Sequence, residues 1–244
     1  MLILNLTERQ KKILLAIIEE YMKEPQEVGS AQLAKKYNMK VSSATIRNDM
    51  VKLMDMGYLD KSHVSSGRFP TDMAFRMFVN ECVNSSVKDS LILVKIRQGI
   101  FAVRFYPEQM IKKMLDLLVK FTESASFVVL DDMTRYYGIS SLMNYEELKD
   151  IDSLQRVLDL MEDSDMLKSV FSKYDGEEVT VLIGEELGIE DLLDFTLAFT
   201  KINYWDNRVG HIGVVGSRRM DYRVVIPVLN VVRDSVNESL KGWR

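Results

Sequence analysis

A helix and a hairpin between residues 42 and 71 constrain this chain more than any other feature. Ser42 or Ser43 can accept a hydrogen bond from free backbone N–H groups, so a helix is predicted to begin there. An apolar stripe follows at helical spacing, which must pack inward, and it consists of Ile46, Met50 and Leu53. Gly57 stands where this helix has to end, since glycine readily adopts the left-handed conformation of a helix cap.

A short hairpin is predicted directly after that helix, with strands at roughly Tyr58–Ser62 and Gly67–Pro70. Two helices are predicted upstream. Thr7-Glu8-Arg9-Gln10 is a capping-box pattern that opens the first, and Ser30 is expected to cap the second. Three helices followed by a hairpin are typical of a winged helix-turn-helix, which places its last helix in the major groove of DNA.

Residue types that recognise DNA stand on the third helix and on the hairpin. Arginine suits guanine edges or phosphate, asparagine suits adenine, and serine and threonine donate or accept hydrogen bonds. A solvated surface helix would carry similar residues, but the hairpin that follows favours DNA binding. The predicted DNA-contacting residues are Ser42, Ser43, Thr45, Arg47, Asn48 and Lys52 on the helix, and Lys61, His63, Ser65, Ser66, Gly67 and Arg68 on the wing.

Charge separates two regions of the chain. Residues 1–80 hold 12 Lys and Arg against 9 Asp and Glu, whereas the whole chain of 244 residues holds 32 against 36. A basic excess confined to one end of an acidic chain indicates local contact with DNA phosphates. With 47% hydrophobic residues, the chain is long enough for two domains with separate cores.

The remainder predicts an α+β domain with a mainly antiparallel sheet. The runs within residues 91–105 fit either strands or a helix. Predicted helices begin at Pro107, span Ser153–Phe171 and run from Asp221 through Leu240. Predicted strands are Phe127–Leu130, Val179–Ile183, Phe195–Tyr204 and Arg208–Val215, the last two joined by a turn at Asp206-Asn207.

Patterns typical of enzymes and metal sites are weak here. Gly210, Gly213 and Gly216 have the wrong spacing for a dinucleotide-binding loop and lie within a predicted strand, so close backbone packing accounts for them better. The two histidines are far apart and Cys82 is the single cysteine, which disfavours a catalytic triad, a metal site or a disulfide. We expect no catalysis, no metal and no cofactor. Since no apolar run approaches the ~20 residues of a membrane span, a cytoplasmic protein is expected.

Short motifs in order along the chain resemble the family of the heat-inducible transcription repressor HrcA. These motifs form two groups, with a thinner match at Gly138–Met143 between them. The group near the amino terminus consists of Ser43-Ala44-Thr45-Ile46-Arg47-Asn48, Gly57-Tyr58-Leu59 and Ser65-Ser66-Gly67-Arg68. Near the carboxyl terminus they are Gly210-His211-Ile212-Gly213-Val214-Val215-Gly216 and Arg219-Met220-Asp221-Tyr222.

The resemblance implies a winged helix-turn-helix domain and a GAF-like domain, with a dimerising domain inserted into the latter. It also implies a repressor of heat-shock genes that binds an inverted-repeat operator of the CIRCE type as a homodimer, and whose activity depends on the chaperonin GroEL. Family members usually have about a hundred residues more. Here Phe127–Leu130 passes almost directly through Asp131-Asp132-Met133-Thr134 to Tyr136, so the inserted domain is expected to be absent.

The expected divisions are residues 1–80 for the DNA-binding domain, 81–106 for a connecting segment, and 107–244 for a GAF-like regulatory and dimerisation domain. Without the inserted domain, the helix after the wing or the final helix could supply the dimer contact. An alternative function is a ligand-sensing regulator, in which the GAF-like domain binds a small molecule that sets the affinity for DNA.

Overall fold

The structure, a computed structural model, describes residues 6–63, 66–83, 90–131, 133–174, 176, 178–205 and 208–240. The chain divides into two compact units, Met1–Glu81 and Cys82–Arg244. The first unit comprises three helices, a two-stranded hairpin and most of a fourth helix, which confirms the predicted winged-helix order. Its elements are α1 (Glu8–Lys23), α2 (Ser30–Lys36), α3 (Ser43–Asp55), β1 (Leu59–Asp60), β2 (Phe69–Pro70) and α4 (Asp72–Val83).

The start of α1 confirms the predicted capping box. Thr7 accepts a hydrogen bond from the Gln10 backbone N–H at 3.2 Å, and the Gln10 side chain accepts one from the Thr7 N–H at 2.9 Å. These bonds satisfy two N–H groups that the first turn of a helix leaves without a partner. The apolar side of α1 then packs against α3, and the fully buried residues of this core include Ile13, Leu14, Ile17, Ile46 and Leu53.

The start of α2 corrects a prediction. Ser30 is the first helical residue rather than the cap, and Gly29 occupies the cap position in an extended conformation. The physical reason lies in the residue before it. Val28 pairs with Arg68 of the wing in an antiparallel bridge, so the chain is held extended up to Gly29 and the helix begins one residue later.

The second unit is an α+β fold with an antiparallel sheet, as the sequence predicted. The sheet has five strands in the order β4-β3-β7-β6-β5. Its helices are α5 (Ser90–Ala102), α6 (Pro107–Thr122), α7 (Ile151–Glu162), α8 (Ser164–Phe171) and α9 (Tyr222–Leu240). Its strands are β3 (Ala125–Leu130), β4 (Met133–Tyr137), β5 (Thr180–Ile183), β6 (Phe195–Tyr204) and β7 (Arg208–Ser217).

Helices cover both faces of this sheet, and α6 and α9 lie on one of them. On that face the Ser126 hydroxyl donates to the Leu115 carbonyl, and the hydroxyls of Thr196 and Tyr222 lie 3.1 Å apart. The opposite side chains of the same strands join a cluster with α7 and α8, because alternate residues of a strand point to opposite faces. That cluster includes Phe127, Phe171, Phe195, Leu197 and Phe199.

Three features of the second unit differ from the predictions. The expected helix Ser153–Phe171 is two helices, because Asp163 leaves helical geometry and caps α8 by accepting a hydrogen bond from Met166 N–H at 2.8 Å. Residues 81–106 are not a plain connecting segment, since α5 within them packs against α9 and α6. The strand β4 was not predicted. The predicted turn at Asp206-Asn207 lies outside the described residues.

The glycines of β7 occupy places where the backbone approaches its neighbours closely, as the sequence indicated. A Cβ atom on Gly213 would lie 2.4 Å from the Ala198 carbonyl oxygen and 2.5 Å from the Phe127 ring. Any larger residue would therefore push two core strands apart. None of the helices in the described ranges has the length and apolarity that crossing a membrane requires.

Candidate nucleic-acid interface

The helix α3 begins at a serine cap. Ser42 occupies the cap position, and its Oγ accepts a hydrogen bond from the Thr45 backbone N–H at 3.1 Å. The same Oγ lies 2.9 Å from the Thr45 hydroxyl. Of the two starts that the sequence left open, Ser42 is therefore the cap and Ser43 the first helical residue, with its side chain exposed.

The two sides of α3 have the predicted character. Ile46 and Leu53 are fully buried, whereas Arg47, Asn48 and Lys52 are exposed. At its carboxyl end, Gly57 has a φ of +81°, the left-handed conformation that the sequence predicted for the cap. The exposed side of α3 thus presents a guanidinium, an amide and an ammonium group to solvent.

Asp49 was missed by the sequence reasoning, and it fixes the position of α3. Its side chain is only 3% exposed, and its carboxylate accepts hydrogen bonds from Arg9 Nε at 2.6 Å and Arg9 Nη2 at 3.3 Å. Arg9 stands in the first turn of α1, so this ion pair ties the two helices together. The sequence did contain a signal for this role, because Asp49 is an acidic residue next to Met50, at the border of the apolar stripe.

The wing is anchored to the segment before α2. Val28 and Arg68 exchange two backbone hydrogen bonds of 2.8 and 3.0 Å, and the Glu27 carboxylate accepts one from the Ser62 N–H at 2.6 Å. A Cβ atom on Gly67 would lie 2.8 Å from both the Glu27 carbonyl carbon and the Val28 carbonyl oxygen. Only glycine allows this approach, which explains its place in the motif that precedes Arg68.

Side chains at the wing hold its tip together. The Ser66 hydroxyl accepts from the His63 N–H at 3.0 Å and donates to the His63 carbonyl at 2.7 Å. Arg68 Nη1 donates to the carbonyls of Ser66 and Gly67, both at 2.8 Å, so its guanidinium lies along the wing backbone. The side chain of His63 is exposed and that of Lys61 is partly exposed. Ser65 lies outside the described residues.

A groove between α3 and the wing brings several predicted residues together. It has a volume of ≈ 300 Å³ and is lined by Arg47 from α3, by Ser66, Gly67 and Arg68 from the wing, and by Ser30 from α2, among others. We call it the wing groove. Two guanidinium groups at one groove favour an anionic ligand such as a DNA phosphate.

Two family models match the chain. The winged helix-turn-helix transcription repressor model, HrcA DNA-binding, matches residues 5–83. The model of the HrcA protein C terminal domain matches residues 72–226, which is more than half of the chain. The protein belongs to the HrcA family. The HrcA DNA-binding match contains α3, the wing and the groove between them.

Curated HrcA relatives match this chain from end to end. The heat-inducible transcription repressor HrcA of Clostridium tetani is 26% identical over 343 aligned positions, with 98% of this chain and 97% of the relative covered. That of Clostridium acetobutylicum is 25% identical, with 97% and 98% covered. An alignment of 343 positions exceeds the 244 residues of this chain, so the relative has residues that are missing here. The relative is thus longer than this chain, as the sequence analysis expected of family members.

A solved structure shares the fold. The crystal structure of a hypothetical protein superposes with a TM-score of 0.78 at 20% sequence identity, and covers 96% of this chain and 100% of its own. The likeness therefore extends over both units of this chain.

Proposed function

We propose that this protein is a transcriptional repressor of heat-shock genes that binds operator DNA through α3 and the wing. The observation that carries the proposal is the exposed Arg47 and Asn48 on a capped helix within the HrcA DNA-binding match. The relatives named heat-inducible transcription repressor support the class of regulated genes. Catalysis has no part in this function.

Repression follows from occupancy of the operator. In a winged helix-turn-helix the recognition helix enters the major groove, where arginine can bind a guanine edge with two hydrogen bonds and asparagine an adenine edge. Arg47 and Asn48 are the residues of α3 with those capacities. A protein bound over a promoter then blocks the polymerase.

The proposal includes a homodimer on an inverted repeat, because two-fold symmetric DNA is matched by a two-fold symmetric protein. Two copies also bring specific affinity into the usual range of about 10⁻⁸–10⁻¹¹ M. The apolar side of α9 is an unsuitable contact, since Val225, Leu229 and Val232 are fully buried within a helix that packs on β6, α5 and α6. That apolar side is therefore occupied within the second unit, and we propose α4, the helix after the wing, as the dimer contact.

Control by the chaperonin GroEL is a further part of the proposal, which the resemblance supports. Heat or unfolded protein would draw the chaperonin away, and repression would lapse. The test is the yield of operator-binding protein after refolding with and without the chaperonin. A higher yield with it is expected, and equal yields would contradict this control.

DNA binding is tested by titration at a fixed salt concentration, because phosphate contacts make affinity salt-dependent. The wild type, Arg47→Ala and Arg97→Ala are each titrated against an inverted-repeat duplex and a scrambled duplex. Arg97 is an exposed arginine of α5 in the second unit, so its variant is the matched control. We expect the wild type to prefer the inverted repeat and to bind with two chains per duplex. Arg47→Ala should lower the affinity for the repeat by about 10- to 100-fold, and Arg97→Ala should not.

Equal and weak binding of the wild type to both duplexes would contradict the proposal. The ligand-sensing alternative would then be tested by thermal shift with metabolite mixtures, since a ligand of the folded form raises the midpoint. Within the described residues, no observation favours that alternative over DNA binding.

A further inference from the structure

A second groove runs along the first unit, between α1 and the turn that joins α2 to α3. We call it the turn groove. It has a volume of ≈ 470 Å³, against ≈ 300 Å³ for the wing groove. Leu15, Ala16 and Met39 contribute apolar lining, and Arg9, Lys12 and Lys40 contribute positive charge. None of these residues was predicted to contact DNA.

The two grooves flank α3 on opposite sides. Arg47 lines the wing groove, whereas Arg9 lines the turn groove and binds Asp49. Since successive residues of a helix are about 100° apart around its axis, the side chains of Arg47 and Asp49 point in nearly opposite directions. A helix lying in the major groove has one phosphate backbone on each side. With α3 bound in the major groove as proposed, each groove would face one of the two strands.

The charge of the turn groove is available to a ligand. The side chains of Lys12 and Lys40 are exposed, and neither ammonium has an ion-pair partner among the residues that the structure describes. Arg9 remains half-exposed beside Asp49. The carboxylate of Glu19 also lines the groove, and it accepts a hydrogen bond of 3.4 Å from the Tyr37 hydroxyl.

The backbone of the turn adds a second indication. Lys40 has a φ of +52° and Asn38 a φ of +43°. Asparagine tolerates this left-handed conformation, but it costs a lysine energy. The exposed side chain of Lys40 gains no burial in return. Lys40 lines the turn groove two residues before Ser42, the cap of α3.

We propose that Lys12, Lys40 and Arg9 in the turn groove bind phosphates of the DNA strand opposite to the one that the wing contacts. The inference rests on the proposed DNA-binding function and adds a second phosphate-binding surface to it. Because every nucleotide carries the same phosphate, this surface supplies affinity and salt dependence without sequence preference.

The test uses the full chain and the double variant Lys12→Gln/Lys40→Gln. Affinity is measured over a series of salt concentrations for an inverted-repeat duplex and a scrambled duplex. The slope of log K against log salt should become shallower by about 0.9 for each lysine that contacts a phosphate. Affinity should fall by the same factor on both duplexes, so their ratio should stay unchanged.

Two controls separate charge from structure. Lys12→Arg/Lys40→Arg keeps both charges and should retain the slope of the wild type. Lys173→Gln removes one exposed lysine from the second unit and should leave the slope unchanged as well. If Lys12→Gln/Lys40→Gln also retains the slope, the turn groove does not bind phosphate and the inference is wrong.

A loss confined to the inverted repeat would also overturn the inference, because it would show that the lysines read bases. The same titrations test the proposed function separately. The proposed function is tested by whether the wild type prefers the inverted repeat. The turn groove is tested by the salt slope on the scrambled duplex, which can be measured even if that preference is missing.

Discussion

The two units differ in the polar groups that they bury. In the described residues, the side chains of Glu20 and Asp49 are buried in the first unit, at 6% and 3% exposure. The buried polar side chains of the second unit are hydroxyl groups of serine and threonine. Buried carboxylates therefore hold helices together in the DNA-binding unit. In the second unit, the carboxylate of the Arg219–Glu147 ion pair is 27% exposed, and the interior consists of apolar contacts and close backbone packing.

Glu20 illustrates the arrangement in the first unit. Its carboxylate accepts hydrogen bonds from Lys36 Nζ at 2.6 Å and the Tyr37 hydroxyl at 2.8 Å, so it joins α1 to the end of α2. Burial by itself would raise the pKa of Glu20, but the bonds from Lys36 and Tyr37 outweigh burial and lower the pKa to about 2. A unit with many basic side chains for DNA binding can thus also use some of them to bind its own buried carboxylates.

Aromatic stacking characterises the second unit. The Phe171 ring lies 4.4 Å from the His211 ring, 4.6 Å from Phe199 and 6.0 Å from Phe127, measured between centroids. Such stacking needs no ionised group. From this difference we expect that charge substitutions at buried carboxylates lower the stability of the first unit, and that changes of side-chain volume lower the stability of the second.

The largest expected effect tests that dependence on volume. Phe127→Ala should lower the free energy of unfolding of the second unit by about 3–5 kcal/mol, because it opens a cavity in a fully buried cluster. Phe101→Ala, at a phenylalanine that is 57% exposed, is the matched control and should cost much less. Urea unfolding followed by tryptophan fluorescence reports on this unit, since Trp205 and Trp243 both lie outside residues 1–81. Equal losses would contradict the comparison.

A smaller effect is expected for charge in the first unit. Glu20→Gln should cost about 2 kcal/mol at pH 7, because it weakens hydrogen bonds to a charged acceptor. The pKa of Glu20 is lower in the folded chain than the ordinary value of about 4.3. Its stabilising effect is therefore fully present above that value and is lost as the pH falls towards about 2.

Hydrogen exchange of the α1 and α2 amides measures this effect locally. The difference between wild type and Glu20→Gln should shrink at low pH. Glu24→Gln, at an exposed glutamate near the end of the same helix, should exchange like the wild type. A difference between wild type and Glu20→Gln that persists below pH 2 would show that the lost interaction is not ionic.

The smallest effect concerns His211, a titratable group in the aromatic cluster. Burial, aided by the charge of Lys201, lowers the pKa of His211 to about 4, and its Nε2 is buried without a hydrogen-bond partner among the described residues. As the pH falls, the unfolded chain takes up the proton first, near pH 6.5. Stability is therefore present above about 6.5 and declines as the pH falls towards about 4.

Between pH 7.5 and pH 6, the free energy of unfolding of the second unit should therefore fall by about 1 kcal/mol. His211→Phe keeps a ring at the stacking position but cannot take up a proton, so the dependence on pH should become weaker. Urea midpoints at the two pH values measure it. An unchanged dependence in His211→Phe would assign the effect to other groups.

Much of the fold could be predicted because it is encoded over short stretches. Ser42 and the stripe of Ile46, Met50 and Leu53 predict α3 within a dozen residues, and Gly57 predicts its end. The division of Ser153–Phe171 into two helices was missed, because Asp163 suits both a helix surface and a cap. The strand β4 was missed because its residues are exposed or only partly buried, so it has no clear apolar alternation.

By itself, the sequence determined the order of the elements, the exposed polar side of α3 and the membership of a family, since caps, turns and periodic stripes act between near neighbours. Only the tertiary structure decided what surrounds α3. Arg9 and Asp49 are 40 residues apart in the chain, and the bridge between Val28 and Arg68 spans a similar distance. Contacts of that range depend on how whole helices pack, and a pattern read along the chain does not contain them. The turn groove exists for the same physical reason.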